Sequence, residues 1–103
     1  MNPISETAAR LLEEGRAFVL ATIVSRHGST PRTAGTRMIV TADGRIRGTI
    51  GGGLVEANVI EAAGGVLQSR RPLLMPFDLT RSEVAAMDMI CGGRLEVLLE
   101  CVA

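Results

Sequence analysis

The alternation of apolar and polar positions defines most of the elements. Between Asn2 or Ser5 and Glu14, Ala8, Leu11 and Leu12 recur at helical spacing, Pro3 suits a first helical turn and Gly15 a stop, so an amphipathic helix is predicted. Ala17–Val24 is instead a nearly unbroken apolar run containing β-branched residues. It reads as a strand covered on both faces, at the centre of a sheet. Thr36–Ile50 reads as a hairpin around Asp43-Gly44, a dipeptide suited to a tight type I′ turn. Pairing across that turn puts Arg37, Ile39, Thr41, Ile46, Gly48 and Ile50 on one face, the expected core face. Arg45 and Arg47 then face water, and Arg37 falls near the loop that follows. Val55, Val59, Ala62 and Val66 continue at helical spacing behind Gly51-Gly52-Gly53, although Gly64-Gly65 weakens the far end of that helix. Pro72–Phe77 reads as a strand that Pro76 pushes to an edge. A capping signature, Thr80-Arg81-Ser82-Glu83, predicts a short helix to Met89. Leu95, Val97, Leu99 and Cys101 alternate with polar residues as a half-buried strand should. The expected fold is a mixed α+β (α/β) single domain: a mixed sheet of about five strands with a central hairpin, flanked by two to three helices.

Composition narrows the function. At 103 residues the chain holds one domain, and no apolar run approaches the roughly 20 residues needed to cross a bilayer. Met1–Glu6 lacks the charged-then-apolar order of a signal peptide, and two cysteines cannot make a disulfide framework, so a cytoplasmic location is expected. Eleven basic residues balance eleven acidic ones, which leaves no surplus charge to draw the chain onto nucleic acid or an anionic membrane. All eleven basic residues are arginine. That excludes Schiff-base and Walker-type lysine chemistry and leaves planar guanidinium forks suited to phosphate or carboxylate.

Candidate chemistry falls in three places. Gly51-Gly52-Gly53 before a helix points backbone N–H groups outward at the positive end of the helix dipole, which is either an anion site or only a steric solution to a tight turn. No G-x-G-x-x-G accompanies it, because Glu56 stands where the third glycine would be. Ser29, Thr30 and Arg32 in the long polar loop, with Arg37 beyond it, supply hydroxyls and guanidinium groups for an anion or a heteroaromatic ring. The alternative is a capped, solvated loop. Cys91 precedes Gly92-Gly93, whose amides can lower a thiol's pKa; it reads as a nucleophile, a soft-metal ligand or a sulfur carrier, or simply as a small residue in a turn. Cys101 reads as buried packing. His27, the only histidine, lacks the partners of a hydrolase triad or a zinc site, and no catalytic or metal-ligating set is assigned.

The run Gly28-Ser29-Thr30-Pro31-Arg32, then Gly35-Thr36-Arg37-Met38, Asp43-Gly44, Gly48-Thr49-Ile50-Gly51-Gly52-Gly53 with Glu56-Ala57, and Cys91-Gly92-Gly93, resembles the N-terminal domain of the XdhC/CoxI family across nearly the whole chain, residues 1–103. The resemblance implies an accessory protein rather than an enzyme. It would bind the molybdenum cofactor (molybdopterin) transiently and assist its sulfuration and insertion into a molybdenum hydroxylase apoenzyme of the xanthine dehydrogenase or carbon monoxide dehydrogenase type. A cysteine desulfurase and a second copy of the chain, in a homodimer, are the further partners it implies. Ser29, Thr30, Arg32, Arg37, Gly51, Gly52, Gly53, Glu56, Cys91, Gly92 and Gly93 would hold the cofactor. Relatives often continue into a Rossmann-like domain, and many carry a cysteine straight after the three glycines, where this chain has Leu54. The competing expectation is a docking or dimerisation domain that binds no cofactor.

Overall fold

The computed structural model describes residues 3–27, 35–78 and 93–103. Helix α1 (Pro3–Glu13) is followed by strands β1 (Phe18–His27), β2 (Arg37–Thr41) and β3 (Ile46–Gly48), helix α2 (Gly53–Ser69), and strands β4 (Leu73–Asp78) and β5 (Arg94–Val102). The five strands form one sheet in the order β3-β2-β1-β5-β4, so the mixed α+β reading and the central place of the Ala17–Val24 run both hold. Every pairing is antiparallel, which corrects the expectation of a mixed sheet. The reason is that α2 connects the two edge strands β3 and β4, which never become neighbours. The hairpin is not central either. β3 is short and exposed along its length, so it takes an edge, while the long apolar β1 takes the middle. The helix expected over residues 80–89 lies outside the described residues.

The hairpin register also departs from expectation. Gly44 N–H donates to Thr41 O at 3.0 Å and Thr41 N–H to Arg45 O at 2.9 Å, closing a three-residue loop rather than a two-residue one. Val40 therefore faces Ile46, and Met38 faces Gly48. A one-residue slip exchanges the faces of β3 relative to β2. In place of one isoleucine core face, both faces of β2 are buried. Met38 and Val40 join Val19, Ala21, Ile23, Ile50, Leu95, Val97 and Leu99 in the larger core. Ile39 joins Phe18 and Leu11 in a smaller one on the opposite face of the sheet, where α1 packs.

Helix α2 covers the larger core with Val55, Val59, Ala63 and Val66, with Ala62 only partly buried. It runs without a break through Gly64-Gly65 to Ser69. Burying each valine contributes about 1.5–3 kcal/mol. Each glycine costs about 1 kcal/mol relative to alanine, so packing outweighs propensity. Cys101 is half-buried against the same core. β4 forms the far edge, with Pro76 opposite Glu96, as its proline required.

Candidate functional site

The antiparallel order brings the distinctive segments to one end of the sheet. β1 ends at His27, whose backbone pairs with Arg94 at the start of β5, and Arg94 pairs in turn with Asp78 at the end of β4. β2 begins there with Arg37 opposite Thr22, and β3 ends there with Gly48 opposite Met38. The residues that bracket segments 28–34 and 79–92 therefore share this end with the turn leading into α2. A register shift between Ile23 and Ser25 reshapes β1 just before it. Ile23 N–H donates to Thr36 O at 2.9 Å, and Gly35 N–H donates to Ile23 O at 2.7 Å, which ties the start of β2 to the bulge. Beyond it, Ser25 Oγ donates to Glu96 Oε1 at 2.7 Å.

The glycine turn is built from backbone that only glycine adopts easily: Gly51, Gly52 and Gly53 all have positive φ, at 122°, 73° and 58°. Gly52 caps α2, and a Cβ placed on it would meet nothing within 4 Å. Glu56, one turn into the helix, folds its carboxylate back onto this start. Its Oε2 accepts from Gly52 N–H at 2.8 Å and from Thr49 Oγ1 at 2.6 Å, while Thr49 Oγ1 accepts from Gly51 N–H at 3.1 Å. A carboxylate at the positive end of the dipole is stabilising, so the chain supplies its own first anion. The next amides, of Gly53 and Leu54, start the helix without an intrahelical acceptor and stand beside an exposed Gly53. Their N–H groups can donate to an anionic group from outside.

Gly51, Gly52, Gly53 and Glu56 are thus brought together, and Thr49 belongs with them. Sequence reasoning quoted Thr49 without assigning it a role, because a bond between residues seven apart follows no helical or turn spacing. Arg37 is exposed at the start of β2, and strand alternation aims it to the α1 face of the sheet, away from α2. Gly93 is buried immediately before β5. Ser29, Thr30, Arg32, Cys91 and Gly92 lie outside the described residues. Among the described residues no three of His, Cys, Asp and Glu gather to hold a metal ion, and no helix is long and apolar enough to cross a membrane.

The sequence model of the XdhC and CoxI family matches residues 11–78. The chain belongs to that family. The match runs from the end of α1 through β1, β2, β3, the glycine turn, α2 and β4 of this XdhC and CoxI family domain. The uncharacterized protein YqeB of Escherichia coli (strain K12) is 44% identical over 99 residues, 96% of this chain and 18% of its own length. A probable xanthine dehydrogenase subunit from Bacillus subtilis (strain 168) is 40% identical over 92 residues, 87% of this chain and 28% of its own. The crystal structure of a xanthine dehydrogenase from Bacillus halodurans superposes with a TM-score of 0.82 at 29% identity, covering 95% of this chain and 30% of that one. The domain therefore spans less than a third of each of these relatives, and its family is linked to xanthine dehydrogenase systems.

Proposed function

We propose that this domain is an accessory module that binds the molybdenum cofactor at the motif-bearing end of the sheet and assists its sulfuration and insertion into a molybdenum hydroxylase apoenzyme. The observation that carries the reading is the gathering, at one sheet end, of the glycine turn and the residues that bracket segments 28–34 and 79–92. Members of the family are accessory proteins rather than catalysts, and the xanthine dehydrogenase names among the relatives make a hydroxylase of that type the expected client.

The residues fit an anionic group of the cofactor in part. Open space above Gly52 admits a ligand, and the Gly53 and Leu54 amides can hold a phosphate. The Gly52 amide is already committed to Glu56, so the grip on a phosphate starts one residue into the helix. When bound, the cofactor would carry the metal and dithiolene chemistry that the hydroxylase later uses. The chain's part is to hold its charged end by backbone donors that need no protonation change. Ser29, Thr30 and Arg32 would add donors from the long loop, and Cys91 is the thiol placed by sequence for the sulfur step.

Gly53→Asp and Gly53→Asn test the site as a matched pair. Both side chains tolerate positive φ and differ by one charge beside the proposed phosphate. The Asp variant should bind isolated molybdenum cofactor at least about tenfold more weakly than the Asn variant, since one like charge nearby costs more than about 1.4 kcal/mol at the protein surface. Equal affinities would remove the glycine turn from the binding site.

A further inference from the structure

Away from the motif-bearing end, a groove of about 410 Å³ opens between α1 and the β2–β3 hairpin. Its lining includes Arg10 and Arg16 from the α1 side and Arg45 and Arg47 from the hairpin, with Asp43 the only carboxylate among the described residues of the lining. In a chain whose formal net charge is zero, the described lining of this groove thus sets four arginines against one carboxylate. Arg45 is paired with Asp43 at 3.5 Å and Arg16 with Glu14 at 3.4 Å. Arg10 and Arg47 make no ion pair among the described residues and are exposed.

We propose that this groove docks an acidic segment of a partner protein. Like charges held together repel one another, and an opposite charge delivered by a partner relieves that repulsion and steers its approach. The rest of the lining identifies the kind of partner. Ile46, 42% exposed, and buried Leu11 are aliphatic residues of the lining, so the complement presents an apolar side chain between carboxylates. Arginine rims beside exposed aliphatic side chains characterise protein interfaces, and guanidinium forks take carboxylates bidentately. A small phosphate would leave Ile46 uncovered and would sit among side chains that stay in water, Arg45 being 87% exposed. The groove lies on the α1 face of the sheet at the hairpin end, whereas the glycine turn lies at the other end and leads into α2 on the other face. The two sites can be engaged together, and this inference does not depend on cofactor binding.

The test titrates the isotopically labelled 103-residue chain with a synthetic peptide of glutamates flanking a central leucine, and separately with inorganic pyrophosphate, read by backbone amide shifts. The expected result is saturable shifts confined to residues 7–16 and 41–47, weakened at least about tenfold as salt rises from about 0.05 to about 0.3 M. Arg10→Glu with Arg47→Glu should weaken peptide binding by at least about tenfold, and the charge-matched Arg70→Glu with Arg71→Glu should not. A melting curve checks that the first pair folds; Arg10→Gln with Arg47→Gln replaces it otherwise. Absent or scattered shifts, or equal losses in the two pairs, would overturn the proposal. Pyrophosphate binding in the groove without peptide binding would also overturn it, in favour of a small-anion site.

Discussion

Replacing Glu56 with alanine is the most informative single perturbation of the glycine turn. The carboxylate accepts two hydrogen bonds through Oε2, from Gly52 N–H at 2.8 Å and from Thr49 Oγ1 at 2.6 Å, both partly buried. Bonds to a charged group contribute about 1.5–3 kcal/mol each when a partner is lost. Partial burial lets water replace some of that, which places the net loss at about 2–3 kcal/mol. For a domain of this size such a loss lowers Tm by roughly 10–20 °C. Glu56→Gln keeps an oxygen acceptor without the charge and should lose about half as much. Denaturant melts of both variants, with Thr49→Val and the Thr49→Val/Glu56→Ala pair, complete a double-mutant cycle. The expected coupling is about 1 kcal/mol or more, because the two side chains act through one bond. Removing the internal anion should also make inorganic phosphate protect Glu56→Ala against melting more than it protects the parent chain. A Glu56→Ala loss within about 0.5 kcal/mol of zero, the scatter of ordinary surface changes, would refute the view that this carboxylate holds the turn together.

Gly48→Ala should destabilise by about 2–4 kcal/mol, since its φ of 83° is strained for any side chain and a Cβ would stand 2.7 Å from Ile4 Cδ1 and 2.9 Å from the carbonyl oxygen of Arg37. The isoleucine tip can move but the backbone cannot, so a loss below about 1 kcal/mol by chemical denaturation would contradict the packing of α1 on β3. Gly64→Ala and Gly65→Ala should each stabilise by about 1 kcal/mol, because both sit exposed in α2 with open space at the Cβ position. The Asp43 carboxyl lies below its ordinary value of 3.8, chiefly because the Thr41 hydroxyl donates to it, with the Arg45 charge a smaller cause. Its contribution to stability is thus present above pH 3.8 and is lost as the pH falls further, so Asp43→Asn should lower stability slightly above that value, leave it nearly unchanged at the acid extreme, and flatten the acid limb between.

The sequence was most legible where a single force acted. The long apolar run of β1 can be satisfied only at the centre of a sheet, and Pro76 can sit in a ladder only at its edge, so both were placed correctly. The hairpin failed by one residue. Asp43-Gly44 fits two loop lengths, and the Thr41 side chain, bonded to Asp43 and to the Arg45 backbone, selects the longer one. That choice decides which hairpin residues face which core. At Gly64-Gly65 a local signal was overruled by the buried valine face of α2. The glycine turn read either as an anion site or as a steric solution to a tight turn, and the carboxylate of Glu56 folded back onto it was not legible. That contact depends on three consecutive positive φ angles curling Gly52 back within reach of the carboxylate. Arg37 looked close to the turn in sequence, yet strand alternation aims it to the other face.

We propose that the motif-bearing end of the sheet holds the phosphate of the molybdenum cofactor. Anaerobic calorimetric titration of the chain with isolated cofactor at two concentrations of inorganic phosphate tests it most directly. Saturable binding that weakens as phosphate rises is expected, because both anions compete for the amides at the start of α2. Absence of binding, or an affinity indifferent to phosphate, would contradict it.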